Sequence, residues 1–159
     1  MTSGKSRVGA PLPDVVASLE AVAHQLTTIY TRAQNSAETR ISPSQLHALE
    51  IIERHGRINV NGLAAELGAI PSSASRLCDR LQAAGLIARI AGTANRREVL
   101  LALTRGGQAL LTRISRDRRD LLLEVTRAMT PASREALLTG LREFVDRADE
   151  ATRDRQHLA

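Results

Sequence analysis

Ser72, Ser73, Ser75, Arg76 and Arg80 crowd into one short segment directly after Pro71, and their spacing decides what they could do. Between them, Ala74, Leu77, Cys78 and Leu81 follow the i, i+3, i+4, i+7 pattern that a helix turns toward a core. Ser72, Ser73, Arg76 and Arg80 therefore point elsewhere. Hydroxyls and guanidinium groups at the N-terminal end of an exposed helix are the partners that phosphate oxygens and major-groove base edges require. Pro71 suits the first turn, because its fixed φ is helical and its missing N–H had no intrahelical partner there. Just upstream, Leu63-Ala64-Ala65-Glu66-Leu67-Gly68 predicts a shorter helix, capped by Asn61 and stopped at Gly68, which tolerates positive φ. A small helix, a tight turn and a second helix with polar residues outward is an arrangement for reading DNA.

These residues need a frame. Residues 1 to about 12, with Gly4, Gly9, Pro11 and the adjoining Pro13 and little apolar content, predict a mobile tail, which could touch DNA through Lys5 and Arg7 but is expected to be a disordered terminus with no role. From Asp14, a possible cap, Val16, Leu19, Val22, Ala23, Leu26, Ile29, Tyr30 and Ala33 repeat at helical spacing to about Glu38. Ser42, Pro43 and Gln45 predict a capping box for a second helix, with Leu46, Leu49, Ile51 and Ile52 apolar and Gly56 as its stop. Ile58 and Val60 allow a short strand. After Gly85 the period becomes two: Leu86, Ile87 and Ile90 lead to a turn at Ala91-Gly92-Thr93, and Val99, Leu101 and Leu103 alternate beyond it. The hairpin tip holds Asn95, Arg96 and Arg97, and no acidic residue lies between Asp79 and Glu98, so the arm is locally cationic and suits a narrow minor groove. Thr104 can cap a long amphipathic helix with Leu110, Leu111, Ile114, Leu121, Leu122 and Val125, running to about Met129. Thr130 and Pro131 start a last helix with Leu137, Leu138, Leu141, Phe144, Val145 and Ala148, ending in a polar Arg153-Asp154-Arg155 tail.

The totals agree with a mainly helical domain. The chain has 159 residues and 43% hydrophobic content, enough for a real core, yet Tyr30 and Phe144 are its only aromatics. Leucine, isoleucine, valine and alanine must fill that core. The net charge of +5 is unevenly placed: residues 57–105 hold 7 Lys+Arg against 3 Asp+Glu, while residues 1–56 balance at 5 against 5 and residues 106–159 stand at 10 against 9. The excess lies in the segment suspected of displacing counterions from a phosphate backbone. No apolar run approaches the roughly 20 residues of a membrane span and the first residues lack the apolar centre of a signal peptide, so a cytoplasmic protein without membrane association is expected. One cysteine excludes an internal disulfide and any cysteine-rich zinc site.

At Leu63-Ala64 with Leu67-Gly68, Ser75-Arg76-Leu77 with Asp79-Arg80-Leu81, Gly85-Leu86 with Arg89, and Arg96-Arg97 followed by Leu103-Thr104 and Gly107, the chain resembles the MarR family of bacterial winged helix-turn-helix regulators. The resemblance covers roughly residues 14 to 150. It implies a mainly α fold, a winged helix-turn-helix with a small β-hairpin wing and long N- and C-terminal dimerisation helices. The implied divisions are a tail at 1–12, a dimerisation helix at 13–40, a DNA-binding lobe at 41–104, C-terminal dimerisation helices at 105–150 and a tail at 151–159. It further implies a homodimer that binds a palindromic operator in double-stranded DNA, in most cases as a repressor. Base or phosphate contacts fall to Ser72, Ser73, Ser75 and Arg76, with Arg80 either joining them or pairing with a neighbouring acid, and minor-groove insertion falls to Arg97, with Arg96. Three features depart from the family pattern. Asn95 stands where an aspartate usually orients the wing arginine, Ile70 replaces a serine-like cap at a cost of about 1 kcal/mol, and Gly92 and Ala94 thin the acidic balance of the wing.

Many relatives of this kind respond to small aromatic or anionic effectors between the dimer helices and the DNA-reading lobe. His24, Tyr30, His47 and Arg113 lie on helices that would border such a cleft. His47 and Glu50 stand one helical turn apart as a metal pair would, but with no third ligand no metal site is expected. Cys78 falls on the inward side of its helix, where a thiolate is disfavoured, so its expected role is structural. Glycines occur singly at turns and no acid, base and nucleophile converge, so neither an enzyme nor a cofactor is expected. The competing class is a winged-helix module that uses the same arginines to meet acidic residues of a protein partner.

Overall fold

A computed structural model of the protein describes residues 10–35, 41–92 and 99–157. Six helices and one two-stranded antiparallel sheet follow in the order α1 (Leu12–Asn35), α2 (Pro43–His55), α3 (Val60–Glu66), α4 (Pro71–Ala83), β1 (Ile87–Ala91), β2 (Val99–Leu103), α5 (Arg105–Arg127) and α6 (Pro131–His157). The chain divides into two compact units, residues 1–118 and 119–159. The mainly helical winged helix-turn-helix expectation holds.

Local chemistry explains where most elements begin and end. The capping box at α2 is complete: the Gln45 amide donates to Ser42 Oγ at 3.2 Å, and the Ser42 amide donates to Gln45 Oε1 at 2.9 Å. Gly56, at φ 69°, ends α2 in a conformation that a side chain would resist. Thr104 caps α5 by accepting from the Gly107 amide at 3.0 Å, and Thr130 caps α6 by accepting from the Ser133 amide at 3.1 Å. Ile70 precedes α4 with no side-chain cap bond, as its type dictates.

Several boundaries differ from expectation. The cap of α3 is Asn59, whose Oδ1 accepts from the Gly62 amide at 2.8 Å, and Asn61 lies inside the helix. The reason is a register choice. Ile58 is buried and bridges to Leu101 in an antiparallel pair, so the chain turns into helix immediately after it and Val60 is helical rather than extended. The third strand is thereby reduced to a single bridge. Helix α1 begins at Leu12, placing Asp14 in its first turn rather than at its cap, where its charge still suits the helix dipole. Strand β1 runs through Ala91, where a turn was expected, since Ala91 pairs with Val99. Helix α6 continues to His157 through the expected polar tail, because its charged residues are good helix formers and nothing there breaks it.

The core belongs to the first unit. Leu46, Leu49, Ile51 and Ile52 of α2 meet Leu63 of α3, the Leu77, Cys78 and Leu81 face of α4, Ile87 and Leu101 of the hairpin, and Leu110, Leu111 and Ile114 of α5. Among the described residues, eleven large hydrophobic side chains of α1 and α6 remain exposed: Leu12, Val15, Val16, Leu19, Val22 and Tyr30 on the first helix and Leu137, Leu138, Leu141, Phe144 and Val145 on the last. No helix among the described residues is long and apolar enough to cross a membrane.

Candidate nucleic-acid interface

The α4 helix divides its residues as their periodicity requires. Ala74, Leu77, Cys78 and Leu81 are buried, whereas Ser72, Ser73, Arg76 and Arg80 are exposed, and Ser75 is half-buried between the two faces. Packing of α4 on α3 and on β1 holds this face outward. Among the described residues no acid forms an ion pair with Arg76 or Arg80, so their guanidinium groups face solvent. The acid beside them, Asp79, is engaged: Arg89 of β1 donates from Nη2 to Asp79 Oδ1 at 2.7 Å and from Nη1 to Gln82 Oε1 at 2.6 Å. That clasp was missed in the sequence, although Asp79 and Gln82 lie one turn apart on one face. The net effect is a helix surface of hydroxyls and uncompensated positive charge, which suits an anionic polymer.

Beneath that surface, burial pushes the Cys78 thiol up from its ordinary 9.0, and the nearby Arg89 charge only partly opposes it. The thiol stays protonated and packs as a small apolar group, in keeping with a structural role. The expected wing residues Asn95, Arg96 and Arg97 lie outside the described residues. What the structure places is the base of the hairpin, with Ile87 opposite Leu103 and Arg89 opposite Leu101. Thr104 ties that base to the end of α4 by donating from Oγ1 to the Gly85 carbonyl at 2.6 Å, while its amide donates to the Leu86 carbonyl at 3.0 Å.

Among the described residues, His47 and Arg113, two of the four singled out for a small ligand, line different cavities. His47 lines a cleft of about 330 Å³ with Ser44, Leu67, Ala69, Ser73, Ala74, Leu77 and Arg80, between α2 and the polar helix. Arg113 lines a different depression on α5, with Arg105, Gln108 and Arg116. His24 is exposed on α1. Tyr30 lies under the Arg118 guanidinium, 4.6 Å from ring centroid to the guanidinium carbon, a cation–π stack. Arg118 also donates to Glu50 Oε1 at 3.0 Å, and Glu50 Oε2 lies 4.0 Å from His47 Nδ1. The carboxylate of the supposed metal pair is thus occupied by an arginine. No group of three metal-ligating side chains occurs among the described residues. The α5 to α2 attachment, Arg118 to Glu50 and Gln108 Nε2 to Glu53 Oε1 at 2.6 Å, gave no local sequence signal, since its partners lie far apart in the chain.

Comparison with known proteins agrees with this geometry. The model of the MarR family matches residues 41–99, the segment from the start of α2 to β2. The chain is similar to the HTH-type transcriptional repressor MdtR of Bacillus subtilis, at 29% identity over 96 residues, which span 60% of this chain and 61% of the repressor's length. Among solved structures it is similar to RV1404 from Mycobacterium tuberculosis, with a TM-score of 0.82 and 30% identity over 89% of this chain and 97% of that one. It also shares its fold with Streptococcus pneumoniae FabT in complex with DNA, with a TM-score of 0.71 and 16% identity over 88% of this chain and 99% of that one. A two-faced α4 set against a short hairpin, a matching family model and a like-folded chain covered almost end to end lead to one assignment: the chain belongs to the MarR family.

Proposed function

We propose that this protein is a sequence-specific DNA-binding transcriptional regulator that acts as a homodimer on a palindromic operator, in the repressing mode. The observation that carries the reading is the α4 surface, where Ser72, Ser73, Arg76 and Arg80 stand exposed beside a half-buried Ser75 and the neighbouring Asp79 is held by Arg89. On this reading α4 enters the major groove, Ser72, Ser73, Ser75 and Arg76 meet phosphates and base edges, Arg80 reaches the backbone, and Arg96 and Arg97 enter the minor groove. The DNA bound to FabT and the repressor name of MdtR support it by analogy. Homodimer formation is supported by the exposed apolar residues of α1 and α6, since each leucine left in water forfeits about 1.5 to 3 kcal/mol.

An effector response is part of the same proposal. The cleft beside α4 places His47 with Ser73 and Arg80, so a small aromatic anion held there would occupy groups that the duplex needs. The test is a mobility-shift assay on the DNA upstream of the protein's own gene against a scrambled duplex of equal length. Selective retardation that Arg76→Ala and Arg97→Ala each abolish supports the regulator. Equally weak retardation of both duplexes overturns it in favour of a protein-interaction module.

A further inference from the structure

Arg89 lies outside the set of residues assigned to DNA, yet among the described residues it makes the only hydrogen bonds from a hairpin side chain to side chains of α4. Its planar fork meets two acceptors one helical turn apart, Asp79 Oδ1 at 2.7 Å and Gln82 Oε1 at 2.6 Å, from the middle of β1. The clasp is partly solvated, with the side chains of Arg89 and Asp79 33% and 59% exposed, so it contributes little to folding. What a two-pronged guanidinium supplies at such a place is direction, because both bonds form only at one angle between strand and helix. The apolar contacts around it, Leu81, Leu86 and Ile87, do not carry that directional demand.

We infer that Arg89 is a positioning residue: its clasp on Asp79 and Gln82 sets the hairpin against α4 at the angle that lets both engage one duplex. The inference rests on the DNA-binding reading above. It assigns three residues of one clasp to specificity although none touches a base. Arg89 also removes the Asp79 charge from the electrostatic account of the α4 surface, but a purely electrostatic role would predict that deleting Asp79 strengthens selective binding. The positioning role predicts the reverse.

The experiment uses the full chain, the duplex from upstream of its own gene and a scrambled duplex, with Arg89→Ala, the pair Asp79→Ala/Gln82→Ala, and the three changes combined. Each of the first two is expected to lower the affinity ratio between the two duplexes roughly tenfold, and the combination no further, since all three changes break one interaction. Hydroxyl-radical footprints should lose minor-groove protection at the flanks while central protection persists, and thermal midpoints should stay near that of the unaltered chain. A drop confined to Arg89→Ala, with a salt slope smaller by about one, would mean that Arg89 contacts a phosphate directly and would overturn the inference. Unchanged ratios and footprints in all variants overturn it too. If the unaltered chain protects no sequence, the DNA-binding reading fails first and carries the clasp with it, a result distinct from a clear footprint that Arg89→Ala leaves intact.

Discussion

Gly107 shows how little room single atoms have in this fold. A Cβ there would collide with the Leu86 carbonyl oxygen, a backbone atom that cannot swing aside, and would press on Leu103. Gly107→Ala should therefore cost about 1–3 kcal/mol or more, through overpacking at the junction of α4, β1 and α5, read as a lower urea midpoint with an unchanged m-value. Cys78 makes a different prediction. Its folded thiol titrates above 9.0, so the unfolded chain loses the proton first as pH rises. The contribution is fully present below 9.0 and declines as pH climbs from there through the folded value. Between pH 8 and 10 the urea midpoint of the native protein should fall more steeply than that of Cys78→Ala, and parallel slopes would refute a buried, protonated thiol.

Among elements, α3 carries the clearest lesson about boundaries. Asn59 and Asn61 are equally good caps by residue type, and the choice between them is made by Ile58, which must bridge Leu101 and bury its side chain before the helix can begin. Asn59→Ala should cost about 1 kcal/mol, whereas Asn61→Ala, inside the helix and exposed, should leave stability unchanged or raise it by a few tenths of a kcal/mol, measured by chemical unfolding of each variant. The capping box of α2 and the threonine caps of α5 and α6 were readable because a cap and its partner lie within three residues. The clasp of Arg89 on α4 and the Arg118 attachment to Glu50 and Tyr30 were not, because nothing local marks which side chains a turn or a distant helix brings together.

For the molecule as a whole, the proposed homodimer is tested at the exposed apolar face of α6. Leu141 and Phe144, 49% and 51% exposed, lie three residues apart on one side of a helix with no described buried residue. On the proposed assembly the native protein should sediment as a dimer and the doubly substituted Leu141→Glu/Phe144→Glu chain as a monomer, with selective DNA binding lost and helical circular dichroism kept. A native protein that is monomeric at micromolar concentration would contradict the proposed assembly. Half-sites for such a dimer should lie about 34 Å apart, one turn of the duplex.

Periodicity and capping residues by themselves determined six helices, one hairpin and the outward face of α4, because those signals act within a few residues and depend on side-chain type alone. Tertiary packing decided the rest: that Ile58 bridges and shifts the start of α3, that His47 faces Ser73 and Arg80 rather than Arg113, and that Arg89 grips Asp79 and Gln82. Such contacts join segments whose separation in the chain says nothing of their separation in space. They form only when burial of the shared core has fixed where each helix lies.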